Sequence, residues 1–186
     1  MANRSAQNNF LYHNDGNSNH WLKVKCVGTL SNRSAIGTKV RLEATIAGVD
    51  RWQLRQISGG DGENNSDSLV AHFGLGDATV IPRIRVEWPS GAVQVFTNAT
   101  VDRTLFVTEP PRLAVIQPPD APGLELNLTG GIGFDYAIEA STNWTSWMPL
   151  ATFTNCARTT WFTDSDATNF SQRFYRATQL GTPGGP

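Results

Sequence analysis

Residues 57–91, ISGGDGENNSDSLVAHFGLGDATVIPRIRVEWPSG, decide the fold because their hydrophobic period is two. In Ile84-Arg85-Val86-Glu87-Trp88 apolar side chains alternate with charges, so one face enters a core while Arg83, Arg85 and Glu87 stay in water. Pro89-Ser90-Gly91 supplies a preset φ and a residue free to take positive φ, and Ala92-Val93-Gln94-Val95-Phe96 then runs on as a second extended segment. The simplest arrangement is a hairpin. Upstream, Ser58-Gly59-Gly60-Asp61-Gly62 and Phe73-Gly74-Leu75-Gly76-Asp77 place glycines around a polar loop, where the backbone turns or approaches closely instead of packing side chains.

The same period holds from Trp21 onward. Leu22, Val24 and Cys26 oppose Lys23 and Lys25; Val40, Leu42, Ala44 and Ile46 oppose Lys39, Arg41, Glu43 and Thr45; Trp52 and Leu54 oppose Arg51, Gln53 and Arg55. Three strands with one wet face are predicted, the apolar set inward. Ala47-Gly48-Val49-Asp50 fits a tight connection between the last two, and the polar, Gly-bounded stretch from Gly28 to Gly37 reads as a loop. No helical stripe spans three turns between Trp21 and Glu109, although Ser66 to Phe73 has room for one short turn. About seven strands result if Val70 to Phe73 is one of them. They form an antiparallel sandwich or a partly closed barrel.

The Ser-Gly-Gly-x-Gly loop, the polar spacer, His72-Phe73-Gly74-Leu75-Gly76 and the strand ending in Trp88-Pro89-x-Gly91 resemble the ASPIC/UnbV domain. Asn19-His20-Trp21-Leu22-Lys23-Val24, Ser31-Asn32-Arg33-Ser34-Ala35-Ile36-Gly37 and the closing Leu105-Phe106-Val107-Thr108-Glu109 resemble it too, so the likeness covers residues 19–110. That family occurs in bacterial FG-GAP/VCBS-repeat proteins and in animal cartilage acidic proteins. The resemblance implies a propeller upstream in the same polypeptide, and Asn9 to Gly16 is similar to the phrase that closes a propeller blade. Residues 1–18 are accordingly expected to be a repeat remnant or flexible arm.

Composition shifts at Glu109-Pro110-Pro111 and again at Gln117-Pro118-Pro119-Asp120-Ala121-Pro122-Gly123, where prolines withhold the donors a central strand needs. Residues 111–123 are read as a Pro-rich linker. Alternation then resumes in Leu124, Leu126 and Leu128 against Glu125 and Asn127, and in Tyr136, Ile138 and Ala140 against Ala137 and Glu139, with Gly130, Gly131 and Gly133 between them. Tyr-x-Ile-Glu-x-Ser-Thr-Asn, Trp147-x-Pro149, Phe162-x-Asp164 and Arg173 to Arg176 resemble the small immunoglobulin-like modules that end many secreted bacterial proteins. Residues 124–180 are expected to form that module and 181–186 a flexible tail. The fold class predicted for the chain is all-β, with two antiparallel sandwich or partly closed barrel domains in tandem.

Charged residues make up 17% of the chain against about 25% in ordinary soluble proteins, and Asn, Thr, Ser and Gln carry the polar surface instead. This suits an extracellular protein. The net charge is −1, with 11 basic and 10 acidic residues up to Glu109 and 4 and 6 after it, so neither half carries the basic footprint of nucleic-acid binding. No apolar run approaches the ~20 residues of a membrane span and no signal-peptide core follows Met1, so secretion would be directed by sequence outside this chain. Cys26 and Cys156 make neither a disulfide framework nor a tetrahedral metal site, and both are expected to stay unpaired.

Nucleophilic catalysis lacks its inventory. The histidines are His13, His20 and His72, none in a nucleophile-elbow pattern, and His72 reads as structural; the paired glycines lack the Lys-Ser/Thr of a phosphate cradle. Glycoside hydrolysis needs two carboxylates across a cleft, which the sequence does not supply. Asp61, Glu63 and Asp67 share one loop and are the acids that would hold calcium, a hard cation that takes six to eight oxygens. Asx turns beside glycine account for the same residues without a metal. Trp144, Trp147 and Trp161 would make an aromatic platform for sugar rings, although core or rim packing is the more usual place for such residues in a small sandwich.

The expected function is a non-enzymatic, cofactor-free region for adhesion, interaction or scaffolding in a larger secreted or surface bacterial protein. Its partner would be an extracellular protein or glycan, with neither nucleic acid nor membrane insertion. A carbohydrate-binding accessory module and a calcium-stabilised structural domain are the alternatives.

Overall fold

The computed structural model describes residues 13, 15–60, 66–116 and 123–181. Seven strands build the first unit: β1 (His20–Val27), β2 (Lys39–Ile46), β3 (Val49–Gln56), β4 (Val70–Gly76), β5 (Val80–Glu87), β6 (Val93–Thr100) and β7 (Arg103–Thr108). They pair into a three-stranded sheet, β4-β1-β7, and a four-stranded sheet, β3-β2-β5-β6. The two lie face to face over Leu22, Val24 and Cys26 of β1, Val40, Leu42 and Ala44 of β2, Phe73 and Leu75 of β4, and Ile84 and Val86 of β5. Among the described residues no sheet closes into a barrel. The predicted hairpin at Pro89-Ser90-Gly91 joins β5 to β6, with Trp88 paired to Ala92 across it. Between β2 and β3, Ala47 and Gly48 take φ of +50° and +73°, the left-handed pair that a two-residue hairpin twisting with its strands requires.

Two features depart from the sequence reading. One pairing is parallel: β1 runs alongside β7, with Leu22 opposite Arg103 and Val27 opposite Thr108. The second is the phase of β3. Val40 lies opposite Arg55 and Leu42 opposite Gln53, and directly opposed side chains share a face, so Gln53 and Arg55 point to the core side while Trp52 and Leu54 face water. Both polar chains reach past the core to the open edge of β4. Gln53 Nε2 donates to Gly74 O at 2.7 Å, Arg55 Nε donates to His72 O at 3.1 Å, and the Arg55 guanidinium covers the Phe73 ring at 5.3 Å. On the other seam, Gln94 Nε2 of β6 donates to Thr108 O of β7.

The second unit starts earlier than the prolines suggest. β8 (Arg112–Ile116) follows Pro110-Pro111 at once and pairs antiparallel with β9 (Leu124–Thr129), so residues 112–116 of the expected linker are a strand. An edge strand tolerates proline immediately beside it, and its Leu113-Ala114-Val115-Ile116 run hides the period. β10 (Asp135–Ser141), β11 (Met148–Thr154), β12 (Thr159–Asp164) and β13 (Phe174–Gln179) complete two sheets, β12-β9-β8 and β11-β10-β13, over Leu126, Leu128, Phe134, Tyr136 and Ile138. Several interior polar groups are paired: the Tyr136 hydroxyl accepts from Gly131 N–H, Asn155 donates to Gly130 O and Gly131 O, and Asp164 accepts from the Tyr175 hydroxyl and pairs with Arg173. Burial, then Asp164, pushes the Tyr175 phenol up to about 12. Among the described residues no helix is long and apolar enough to cross a membrane.

Glu109, at the end of β7, is fully buried yet charged. Its Oε2 accepts the consecutive N–H groups of Thr29, Leu30 and Ser31 at 2.8, 2.9 and 2.7 Å, and Oε1 accepts the hydroxyls of Ser31 and Ser90 at 2.7 and 2.5 Å. Gly28 opens this loop because a Cβ there would lie 2.1 Å from Asn32 O. Burial raises the carboxyl's pKa, but the bonds from Ser90, Ser31 and Thr29 outweigh it and hold the group below the ordinary 4.5. Arg158 of the second unit donates to Leu30 O at 2.8 Å, docking it on the same loop.

Glu109→Ala should lower stability by about 3 kcal/mol in urea unfolding, because it orphans three part-buried backbone donors and two hydroxyls at once. The carboxylate's contribution is complete above its unfolded pKa and is lost as pH falls through the lower folded value. The wild type should therefore lose its advantage over the variant below about pH 4.5. Cys26 is buried with its thiol pushed up to about 11 by burial, whereas Cys156 is exposed. Thiol titration should count one reactive group in the native protein and two after denaturation.

Candidate functional site

The phase of β3 creates a surface that the periodicity did not anticipate. Across the outer face of the four-stranded sheet, register places Leu54, Arg41, Arg85 and Val95 in one row and Trp52, Glu43, Arg83 and Thr97 in the next. The two central strands supply the charges and the two outer strands the apolar walls. Trp52 and Val95 are each about half exposed, at 52% and 53%. Between them lies a groove of about 630 Å³ with the guanidinium groups of Arg41, Arg83 and Arg85 in its lining. Arg41 Nε and Arg85 Nε both meet Glu87 Oε1, at 3.1 and 2.8 Å, and Arg83 Nε is 4.0 Å from Glu43 Oε2. Arg85, with help from Arg41, holds the Glu87 carboxyl below its ordinary range. Glu87 thus fixes two arginines side by side. The surface offers hydrogen-bond donors and apolar contact to a ligand.

A second exposed cluster sits on the far unit. Trp144 is 63% exposed and takes a φ of +65°, a conformation that costs a bulky residue energy and persists only where its surroundings impose it. The Ser141 hydroxyl accepts the N–H groups of Asn143 and Trp144, and the Asn143 carbonyl oxygen accepts those of Thr145 and Ser146. One face of Trp144 rests on Phe174, with centroids 4.1 Å apart, and Trp147 meets it edge-on at 6.2 Å. Arg176 covers Trp147 at 4.3 Å and is anchored to Glu139 at 2.7 Å. The structure therefore brings Trp144 and Trp147 together. Trp161 stands apart on β12, opposite Asn127, in the other sheet.

Comparison with known families places the first surface. A family model described as ASPIC and UnbV matches residues 28–114. The chain carries an ASPIC/UnbV domain. No curated protein matches the chain. The matched span holds the whole groove, from Arg41 to Thr97, and Glu109 with its loop. β1 precedes it, although that strand is the middle of the sheet β4-β1-β7. In this chain the sheet that the matched segment helps to form therefore includes residues on its N-terminal side. The aromatic cluster lies outside the ASPIC/UnbV domain.

Of the acids proposed for calcium, Asp61 and Glu63 lie outside the described residues. Asp67 accepts a hydrogen bond from the Ser58 hydroxyl within the ASPIC/UnbV domain. Among the described residues no three His, Cys, Asp or Glu side chains converge as metal ligands. The histidines are engaged locally: His20 Nδ1 is 2.6 Å from Asp102 Oδ2, and His72 meets Trp21 edge-on at 6.2 Å.

The two tryptophans flanking this sheet should behave oppositely. Trp52→Ala should shift stability by less than about 1 kcal/mol, as for exposed sites. Trp88, 4% exposed with Nε1 donating to Gln94, should cost about 3 to 5 kcal/mol on truncation. Chemical denaturation of both variants measures this.

Proposed function

We propose that this chain is a non-enzymatic, cofactor-free region for interaction, serving adhesion or scaffolding within a larger secreted or surface-displayed bacterial protein. The outer face of β3-β2-β5-β6 is its contact surface. One observation carries the reading: Trp52, Leu54 and Val95 stand exposed around three arginines on one sheet. Aromatic residues and arginine are enriched where proteins meet, because they combine large buried area with directional bonds. The extracellular setting rests on composition, and the upstream propeller on the family resemblance.

A second reading, carbohydrate binding, is favoured by Trp144, 63% exposed while it stacks on Phe174. Exposed aromatic rings of this kind receive the apolar face of a sugar.

Retention on immobilised extracellular proteins and on a glycan panel separates the two. Under the first reading, the double variant Trp52→Ser, Leu54→Ser loses at least tenfold in affinity, about 1.4 kcal/mol, while Trp144→Ala binds as wild type. Loss confined to glycan surfaces and to Trp144→Ala transfers the function to the second unit. Turnover of ester or glycoside substrates by the purified chain removes the non-enzymatic reading.

A further inference from the structure

We propose that the groove on the ASPIC/UnbV domain takes a short extended peptide segment in which acidic side chains two residues apart are flanked by large apolar ones. This rests on the reading of the outer face as a contact surface and names the chemistry of its occupant. The groove lining contains three guanidinium groups and no carboxylate. Around it, Lys39, Arg41, Arg83 and Arg85 outnumber Glu43, Asp50 and Glu87 on the same face of the sheet. A guanidinium is a planar fork of donors whose geometry matches a carboxylate, and it has no acceptor. Glu87 takes the Nε of both Arg41 and Arg85, and these side chains remain 42% and 47% exposed, while Arg83 is 57% exposed. The hydrogen bonds that Arg41 and Arg85 give to Glu87 leave from Nε.

The spacing suits an extended chain. Arg83 and Arg85 project from one face of one strand, ~6.6 Å apart along it, the repeat of same-side side chains in any extended peptide. Acids at positions i and i+2 can therefore meet both. The walls then decide between ligand classes. Sugar hydroxyls need acceptors as well as donors, but the groove lining holds three arginines and no Asp or Glu, and Gln53 Nε2 donates to Gly74 O. Leu54 and Val95 offer only apolar contact, which favours aliphatic side chains over sugar rings. At about 630 Å³ the open groove has the size of a small-ligand site.

Fluorescence anisotropy tests this on the full chain with a fluorescein-labelled octapeptide alternating glutamate and leucine, against one alternating lysine and leucine. The expected result is saturable binding of the glutamate peptide alone, weakened at least tenfold in R83Q/R85Q and again in Trp52→Ala, and weakened by added salt. Phe106→Ser, on the other sheet, should leave it unchanged. Thermal melts confirm that each variant is folded, and Val95→Glu, which adds a like charge to a wall without touching the arginines, should also weaken binding. Equal affinity for both peptides, unchanged affinity in folded R83Q/R85Q, or no saturable binding of the glutamate peptide would overturn the inference. Binding of polygalacturonate in its place, abolished by Trp52→Ala, overturns the peptide and keeps the contact surface. Loss of the surface itself would appear instead as wild-type retention by Trp52→Ser, Leu54→Ser in the broader panel.

Discussion

A single buried carboxylate organises this molecule. Glu109 gathers three consecutive backbone N–H groups and two hydroxyls, and so ties the loop after β1 and the β5–β6 turn to the end of β7. Such a ring of donors compensates the desolvation that would otherwise drive the group neutral. The geometry is a small anion nest in which the protein supplies its own anion. Because Leu30 of this loop also receives Arg158, the second unit is docked on a segment that Glu109 has ordered. Removing one side chain therefore loosens two sheets and a junction.

The sandwich has four strand edges, a standing hazard for pairing with other chains. Here the two seams are stitched by side chains. Alternate carbonyls of β4, at residues 72 and 74, are taken by Arg55 and Gln53, and Thr108 O on β7 is taken by Gln94. That stitching explains where sequence reasoning went astray. Alternation in Arg51-Trp52-Gln53-Leu54-Arg55 correctly gives period two, and hydrophobicity then assigns Trp52 and Leu54 to the core. At an edge, however, long polar chains gain more by reaching the neighbouring strand's open carbonyls than by facing water, and the phase inverts. Periodicity reports that a strand has two faces. Pairing register decides which face is inside.

Most of the fold was legible for a related reason: the central strands β1, β2 and β9 carry uninterrupted alternation that their buried sets match, β5 alternates from Ile84 onward, and β10 buries Ala137 and Ser141 besides Tyr136, Ile138 and Ala140. β8 was hidden because prolines surround it and four apolar residues run together. The candidate site was far less legible. Arg83 and Arg85 were recognised as solvent-facing, but nothing in the chain order shows that Arg41 and Trp52 stand beside them, since that neighbourhood exists only across three ladders. Glu109 is equally silent in sequence, an acid before two prolines. The three tryptophans of the second unit divided as turn chemistry dictates, with the Ser141 and Asn143 caps folding Trp144 back onto Trp147 and Phe174 while β12 carries Trp161 elsewhere.

The parallel pairing of β1 with β7 also bears on how the first unit carries load. Chain enters at the start of β1 and leaves at the end of β7, so tension applied through the flanking polypeptide pulls these two strands in opposite directions along their length. Their ladder, from Leu22 opposite Arg103 to Val27 opposite Thr108, is then stressed in shear, with its hydrogen bonds resisting together instead of opening one at a time as in a peeled hairpin. The first and last strands act as a mechanical clamp, and the Glu109 nest fastens its trailing end.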